Sequence, residues 1–411
     1  MPNLDTGNTG FMLLCTSLVM LMTPGLAFFY GGLVSRRNVL GIMIQSYVSM
    51  GWTTVLWFVV GYSLCFSGGK GGIIGDLDMA FLNGVTLDMP STLNDTIPAI
   101  VFIAYQMMFA IITPALITGA FANRVTFKAY MLFLTAWLLF VYFPFVHMIW
   151  GGGFLAERGV LDFAGGIVVH AIAGTAALAS VLYIGRRRTP DDGAHSIPLV
   201  ALGTGLLWFG WYGFNAGSEF RVDSVTAVAF LNTDIAASFA GMVWLAIEWR
   251  VTGKPRFLGL LTGAVAGLAT ITPAAGYVSP VTAVIIGCAA GLVCYLAVAL
   301  KNRLHLDDAL DVWGVHGVGG SLGILMLGLF ATKAFNPAGV DGLLFGNPGF
   351  FVAEFGAMVL AVVWAFAFTL GMLWLIDRVT PVRVSGDPHH VQRVCRHSLS
   401  LQGEQQDDGE K

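Results

Sequence analysis

Charge is what this sequence has least of. Of its 411 residues only 11% are Asp, Glu, Lys or Arg, where an ordinary soluble domain carries about 25%. So few charges cannot cover a soluble protein of this size, and lipid is the solvent the composition points to. No basic block is present and the net charge is −3, so a nucleic-acid partner is not expected. The five cysteines are Cys15, Cys65, Cys288, Cys294 and Cys395; four lie in apolar runs and none forms a CxxC pair, which argues against a disulfide frame or a zinc site. Met1 to Gly10 lacks the positive segment of a cleavable signal peptide. Neither a nucleophile triad nor a cluster of metal ligands is seen, so no enzyme and no cofactor is expected.

What the chain does have is apolar length. Hydrophobic residues make up 56% of it, with 52 glycines and a mean hydropathy of +0.76. A membrane-crossing helix needs roughly 20 apolar residues, so there is room for about eleven. Apolar runs between polar breaks place them at roughly 9–33, 42–66, 97–119, 128–149, 164–184, 197–217, 226–249, 257–276, 279–300, 311–331 and 350–376. With these spans, Lys70, Arg158, Arg221 and Lys333 fall on one side and the other seventeen Lys and Arg on the opposite side. The positive-inside rule then puts the N-terminus outside and the C-terminus in the cytoplasm, as expected for a multi-pass protein of the cell (inner) membrane. No second domain is visible: 1–376 reads as one transmembrane domain, 67–96 as an outer loop, and 377–411 as a polar cytoplasmic tail.

The two halves of the chain echo each other. His170 in span 5 and His316 in span 10 each follow an aspartate by eight residues, Asp162 and Asp308, and each precedes a glycine by four, Gly174 and Gly320. Ile-Thr-Pro-Ala occurs at 112–115 in span 3 and at 271–274 in span 8, and Tyr-Gly at 30–31 and 212–213 in spans 1 and 6. The offset is always five spans. Five is odd, so the second half must cross the membrane in the opposite sense. The expected fold is therefore an all-α inverted five-helix repeat with an eleventh helix left over, and the functional site should lie near the midplane between halves.

An inverted repeat brings equivalent mid-helix positions together near its axis, which makes His170 and His316 a candidate pair of imidazoles in one apolar conduit. Neutral imidazole offers one donor and one acceptor, enough to hold a small polar molecule or pass a proton. Two unrelated histidines bonded to neighbouring backbone are the plainer alternative, and two haem ligands another; intramembrane ionisable groups usually line a pathway. Asp162 and Asp308 stand at helix starts, where N-capping explains them, although a charge at a pore mouth would also hold a cation. Asp234, inside span 7, has no explanation from the sequence. Three aromatic segments converge on the outer side: Phe109 after Gln106, Trp150 on a glycine turn, and Trp211 and Phe214 ahead of Ser218. Ring faces attract a small cation and a hydroxyl accepts one of its N–H bonds.

The segments TPGLAFFYGGL (23–33), YQMMFAIITPALITGA (105–120), HMIWGGGFLAERGVLDFAGGIVVH (147–170), WYGFNAGS (211–218) and DDALDVWGVHGVGG (307–320) closely resemble the ammonium transporter (Amt/Rh) family over about residues 10–385. The resemblance implies an outer ammonium-recruiting site at Trp150 and Ser218 supported by Asp162, a pair of phenyl rings, Phe109 and Phe214, closing the pore beneath it, and a twin-histidine pair at His170 and His316. It further implies a homotrimer with one pore per subunit. Three departures stand out. After Arg383-Val384-Ser385 the tail lacks the glycine- and acid-rich stretch of the family, so docking of a PII-type signal protein does not carry over. Glu219 adds a negative charge beside Ser218. Trp313 stands where a phenylalanine is expected and would narrow the exit.

The expected function is transport: ammonium is recruited, loses its proton at the phenyl gate, crosses as ammonia along the histidines and is reprotonated inside. A receptor that binds ammonium, conducts little and signals to a cytoplasmic partner is the alternative, and a bis-histidine haem oxidoreductase a third reading.

Overall fold

The computed structural model describes residues 4–68, 72–187 and 193–384. Among the described residues ten helices are long and apolar enough to cross a membrane, and an eleventh, Phe257–Ile271, is shorter; the chain is a multi-pass membrane protein. In chain order they are α1 (Thr6–Leu33), α2 (Arg36–Phe66), α3 (Ala99–Phe121), α4 (Phe127–Ile149), α5 (Gly166–Ile184), α6 (Ile197–Glu219), α7 (Ser224–Thr252), α8 (Phe257–Ile271), α9 (Pro280–Arg303), α10 (Trp313–Phe330) and α11 (Pro348–Val379). No strand occurs among the described residues, only two isolated bridges. Side chains that a soluble protein would hide, such as Leu14, Phe58, Phe209, Val281 and Val363, are exposed around the bundle, as a lipid-facing surface requires.

Local chemistry sets the helix starts. Asp5, Thr126, Ser196, Ser279 and Asn347 each accept a backbone N–H in the first turn of the helix they precede, and Asp223 forms a capping box with Thr226. α8 is five residues shorter than the sequence pattern suggests. Pro273 has no N–H to continue the helix, and 272–278 turns irregularly instead. That stretch is buried and paired with protein: Phe163 N donates to Pro273 O, and Asn232 Nδ2 donates to Ala275 O and Val278 O. Irregular backbone is tolerated at membrane depth under those conditions. Pro114, in the equivalent Ile-Thr-Pro-Ala, stays inside α3.

Let the face where α1 begins be the upper face. α1 and α3 run downward, since Gln106 and Phe109 line an upper cavity while Tyr30 and Leu33 line a lower one; α6 and α8 run upward, with Ser218 at the top and Leu258 at the bottom. Equivalent helices of the two halves thus run in opposite directions, the inverted repeat expected from the five-span offset. Two of the equivalent pairs also pack closely. α1 and α6 meet through glycine: a Cβ on Gly203 would stand 2.2 Å from Phe29 N, and one on Gly210 2.2 Å from Met22 Cγ. α5 and α10 meet in the same way, as described below. α11 runs on to Val379, three residues beyond the end expected for the transmembrane domain. Residues 385–411, and with them most of the expected tail and Cys395, lie outside the described residues, as do Lys70 and Arg188.

Candidate functional site

Near the top of the bundle lies a cavity of about 200 Å³ lined by Gln106 and Phe109 of α3, Trp150 just past α4, Asp162, Ser218 and Glu219, with Phe163, Phe220 and Tyr277 completing its wall. Trp150 is fixed by its Nε1, which donates to Asp162 O at 2.8 Å, and it meets the Phe109 ring edge to face at 5.9 Å. Ser218 Oγ donates to Phe214 O at 2.9 Å. Its only hydrogen is therefore spent on the backbone, and its lone pairs remain to accept from an N–H in the cavity. Tyr105 OH braces the same turn, donating to Phe214 O at 2.8 Å.

The carboxylate of Asp162 faces away from that role. Oδ1 accepts from Gly165 N and Gly166 N, and Oδ2 from Ile167 N and Val168 N, at 2.6–3.1 Å. All four bonds go to the start of α5, which is N-capping of the fullest kind. Burial pushes the carboxyl pKa up to about 6 against these four bonds, which hold it down. What it contributes to the cavity is its backbone oxygen, held under Trp150.

Beneath the cavity Phe109 and Phe214 lie 4.2 Å apart, tilted by 32°, and close it off. Below them come Trp211 and His170, stacked at 5.4 Å, in a narrow apolar passage that also meets His316, Leu26 and Ile112. His170 Nδ1 and His316 Nδ1 are 3.2 Å apart. If both rings are neutral, one Nδ1 donates to the other, so the first ring presents a bare Nε2 and the second an Nε2–H: one acceptor and one donor along a dry path. His170 Nε2 has no partner among the described residues.

The repeated glycines explain how two rings on different helices come so close. A Cβ on Gly174 would stand 1.9 Å from Gly317 N; one on Gly320 would stand 2.7 Å from His170 Cβ and 2.8 Å from Ala171 N. Each glycine, four residues after one histidine, lets its helix lie against the backbone at the other. Both histidines also sit on π-helical turns, Gly166–Ala171 and Trp313–Gly317, which widen the helix and commonly mark functional positions.

The passage shares His316, Phe29 and Val265 with a lower cavity of about 190 Å³. That cavity shares Leu33, Gly193, Ala309 and Leu310 with a vestibule of about 510 Å³ on the lower face. Asp308 caps α10 from below through Trp313 N at 2.8 Å, mirroring Asp162. Trp313 is not among the residues lining either lower cavity, so it does not narrow them.

The seven residues that the family resemblance implies for the site fall along one axis, in the order Trp150, Asp162 and Ser218, then Phe109 and Phe214, then His170 and His316. Sequence reasoning missed Gln106, whose buried Oε1 has no partner among the described residues and which lines the upper cavity; its place three residues before Phe109 on one helix face was the available signal. It also missed Glu354 of α11, fully buried, with Oε1 accepting from Leu161 N at 2.6 Å and Oε2 unpartnered among the described residues. Asp234 lies off the axis and accepts from Tyr212 OH at 2.6 Å.

The profile of the Ammonium Transporter Family matches residues 10–393. An ammonium transporter of Bacillus subtilis (strain 168) is 43% identical over 384 residues, which are 93% of this chain and 95% of that protein. Among solved structures, Mep2 of Saccharomyces cerevisiae superposes with a TM-score of 0.87 at 33% identity, covering 93% of this chain and 91% of that one. A structure described as a sensor Amt protein superposes with a TM-score of 0.83 at 31% identity, covering 94% and 96%.

Proposed function

Because the chain belongs to the ammonium transporter family, we propose that it carries ammonium across the membrane by recruiting the cation, deprotonating it and conducting ammonia along a pair of histidines. The observation that carries this reading is the 3.2 Å contact between His170 and His316 in an apolar passage beneath an aromatic cavity. A charge at the bilayer centre costs about 2.5–3.5 kcal/mol by insertion scales and 10 or more by simulation. Cation–π contact returns only about 0.5–2 kcal/mol. Rings can hold ammonium at the mouth but cannot take it through, so the proton must leave before the passage or travel separately.

In this scheme ammonium sits against Trp150, with Ser218 Oγ accepting one N–H and Asp162 holding Trp150 and the start of α5 in place. Phe109 and Phe214 exclude water and separate the recruited ion from the passage. His170 and His316 supply an acceptor and a donor to ammonia and, as a bonded pair, relay the proton that ammonium gives up to the lower cavity, where ammonia is reprotonated. Potassium has the size but no proton to give up, so it is rejected. The upper face is the outside and the lower face the cytoplasm, supported by the placement of Lys and Arg. Residues 1–376 act as the transporter domain, 377–411 as a cytoplasmic tail, and the protein works as a homotrimer in the cell membrane, one pore per subunit. No enzymatic step, cofactor or PII-type regulator enters the scheme.

The test is flux in liposomes with His170→Ala and His316→Ala. Loss of ammonium flux, or its replacement by potassium leakage, is expected; full flux with unchanged potassium exclusion in both variants would defeat the scheme. The likeness to a sensor Amt protein keeps one second reading in play, a receptor that binds ammonium and conducts little. Saturable ammonium binding without current or pH change in the same liposomes would select it.

A further inference from the structure

Beside Ser218 stands a residue that the scheme above does not use. Glu219 ends α6, its side chain is only 10% exposed, and it lines the upper cavity together with Trp150 and Phe109. Arg221 reaches back to it, with Nη2 and Nε donating to Glu219 Oε1 at 2.8 and 3.1 Å, and the same Nε lies 2.8 Å from Asp223 Oδ2. Two carboxylates against one guanidinium leave this rim with one net negative charge. Arg221 is 46% exposed, so its hold on Glu219 competes with water and with ions. Across the same cavity Gln106 is 3% exposed and its Oε1 has no partner among the described residues. That is a buried acceptor waiting for a donor, independent of the charged rim.

We infer that Glu219, with its charge moderated by Arg221, sets the affinity of the upper cavity for a small N–H-bearing cation, with the Gln106 carbonyl taking one of that cation's hydrogens. The inference rests on the reading of this cavity as the recruiting site and names what tunes it. A carboxylate at the wall raises the local concentration of cations whatever the chemistry of the passage below. The guanidinium, held also by Asp223 through the same Nε, keeps that attraction weak enough to release the cation toward the gate. The residues therefore act on capture more than on passage, and the sign of each substitution follows from the net charge it leaves. Glu219→Gln leaves zero, the native rim −1, and Arg221→Gln −2.

Initial ammonium flux into liposomes, titrated at about 0.01 M and about 1 M sodium chloride, reads the effect, since the Debye length falls from about 30 Å to about 3 Å between them. At low salt Glu219→Gln should raise the half-saturating ammonium concentration roughly three- to tenfold and Arg221→Gln lower it by a similar factor. Half-saturation should move more than maximal flux, and the differences should close at high salt. Glu219→Asp, which keeps the charge, should stay within about twofold of the native protein. Glu157→Gln removes a charge from an exposed residue of the same face that does not line the cavity, and it should leave half-saturation in place. Equal half-saturation in the native protein, Glu219→Gln and Arg221→Gln, or a shift in Glu157→Gln as large as that in Glu219→Gln, would overturn the inference. Native protein with neither ammonium flux nor ammonium binding would instead overturn the reading beneath it.

Discussion

Substituting Gly174 by alanine tests the contact on which the passage is built. The added Cβ would lie 1.9 Å from Gly317 N, 2.2 Å from Gly317 Cα and 2.8 Å from His316 C. Carbon atoms pack at about 3.5–4.0 Å, and backbone cannot rotate out of the way as a side chain can. α5 and α10 must therefore part by roughly 1.5 Å at this level. The His170–His316 separation, 3.2 Å in the native protein, would then exceed 4 Å or so, beyond any hydrogen bond. Overpacking of this kind costs about 1–3 kcal/mol, against a helix-propensity gain for Gly→Ala of roughly 0.5–1 kcal/mol. Gly371→Ala in α11 is the control, since its Cβ meets nothing within 4 Å and only the propensity gain applies. Thermal unfolding in detergent and ammonium flux in liposomes should separate the two. Gly174→Ala should unfold at lower temperature and lose flux on the order of tenfold or more, as a misplaced reactive pair does, while Gly371→Ala should match or exceed the native unfolding temperature. Native stability, flux and potassium exclusion in Gly174→Ala would show that the close helix approach does not set the histidine pair.

Asp162→Asn keeps one acceptor oxygen and turns an amide toward N–H groups that need acceptors, so it should lower stability by about 1–3 kcal/mol, visible as loss of hydrogen-exchange protection at 165–168. Glu354→Gln should fold with native stability because its carbonyl still accepts from Leu161 N, whereas Glu354→Ala strands that N–H and should cost about 1–3 kcal/mol in thermal unfolding. On the lower face Asp307 meets Arg187 at 2.9 Å and Arg124 at 3.3 Å. Burial alone would raise its carboxyl pKa, but the Arg187 bond and the Arg124 charge outweigh it and hold the group below its usual range. A depressed folded pKa adds stability in full above the unfolded value of about 3.9 and loses it as pH falls through the lower folded value. The gap in unfolding temperature between the native protein and Asp307→Asn should therefore be constant from neutral pH down to about pH 5 and shrink below it; a gap that widens on acidification would refute this sign.

The fold was legible because lipid leaves few solutions. Apolar length gave the spans, and the five-span offset of the echoes requires the antiparallel course that α1 and α6 take. The site was legible where chemistry repeats: His170 and His316 stand out because both halves carry them, and the glycines after them because close approach leaves no alternative residue. Less was legible where meaning depends on direction. The sequence offers Asp162 either as a cap or as a charge at the mouth, and only coordinates show all four of its bonds going to α5. Glu354 carries no periodic signal, and Gln106 only its spacing from Phe109; a polar residue in an apolar run declares that it needs a partner but not whether one is present. The early end of α8 was hidden for a similar reason, since Pro114 and Pro273 share a tetrapeptide and only neighbours such as Asn232 decide which one breaks its helix.

The two capping aspartates bear on selectivity in a way that neither shows alone. α5 starts at the upper face and α10 at the lower, each within two turns of its histidine, so each brings the positive end of a helix dipole close to the passage. Left bare, those ends would repel any cation on the path. Asp162 and Asp308 cap them unequally: both oxygens of Asp162 are taken up by four N–H bonds of α5, whereas Asp308 accepts from Trp313 N through Oδ2 alone and its buried Oδ1 has no partner among the described residues. The carboxylate of Asp162 offsets the dipole of α5 and does not reach into the bore as an ion ligand. The stretch between Phe214 and the lower cavity is left close to electrically neutral, lined by apolar side chains and two imidazoles. A dehydrated cation gains nothing there to offset its lost hydration, and potassium and ammonium fail equally as ions. In the scheme proposed above, discrimination between them rests on the one property they do not share, the ability to hand over a proton at the top and take one back at the bottom.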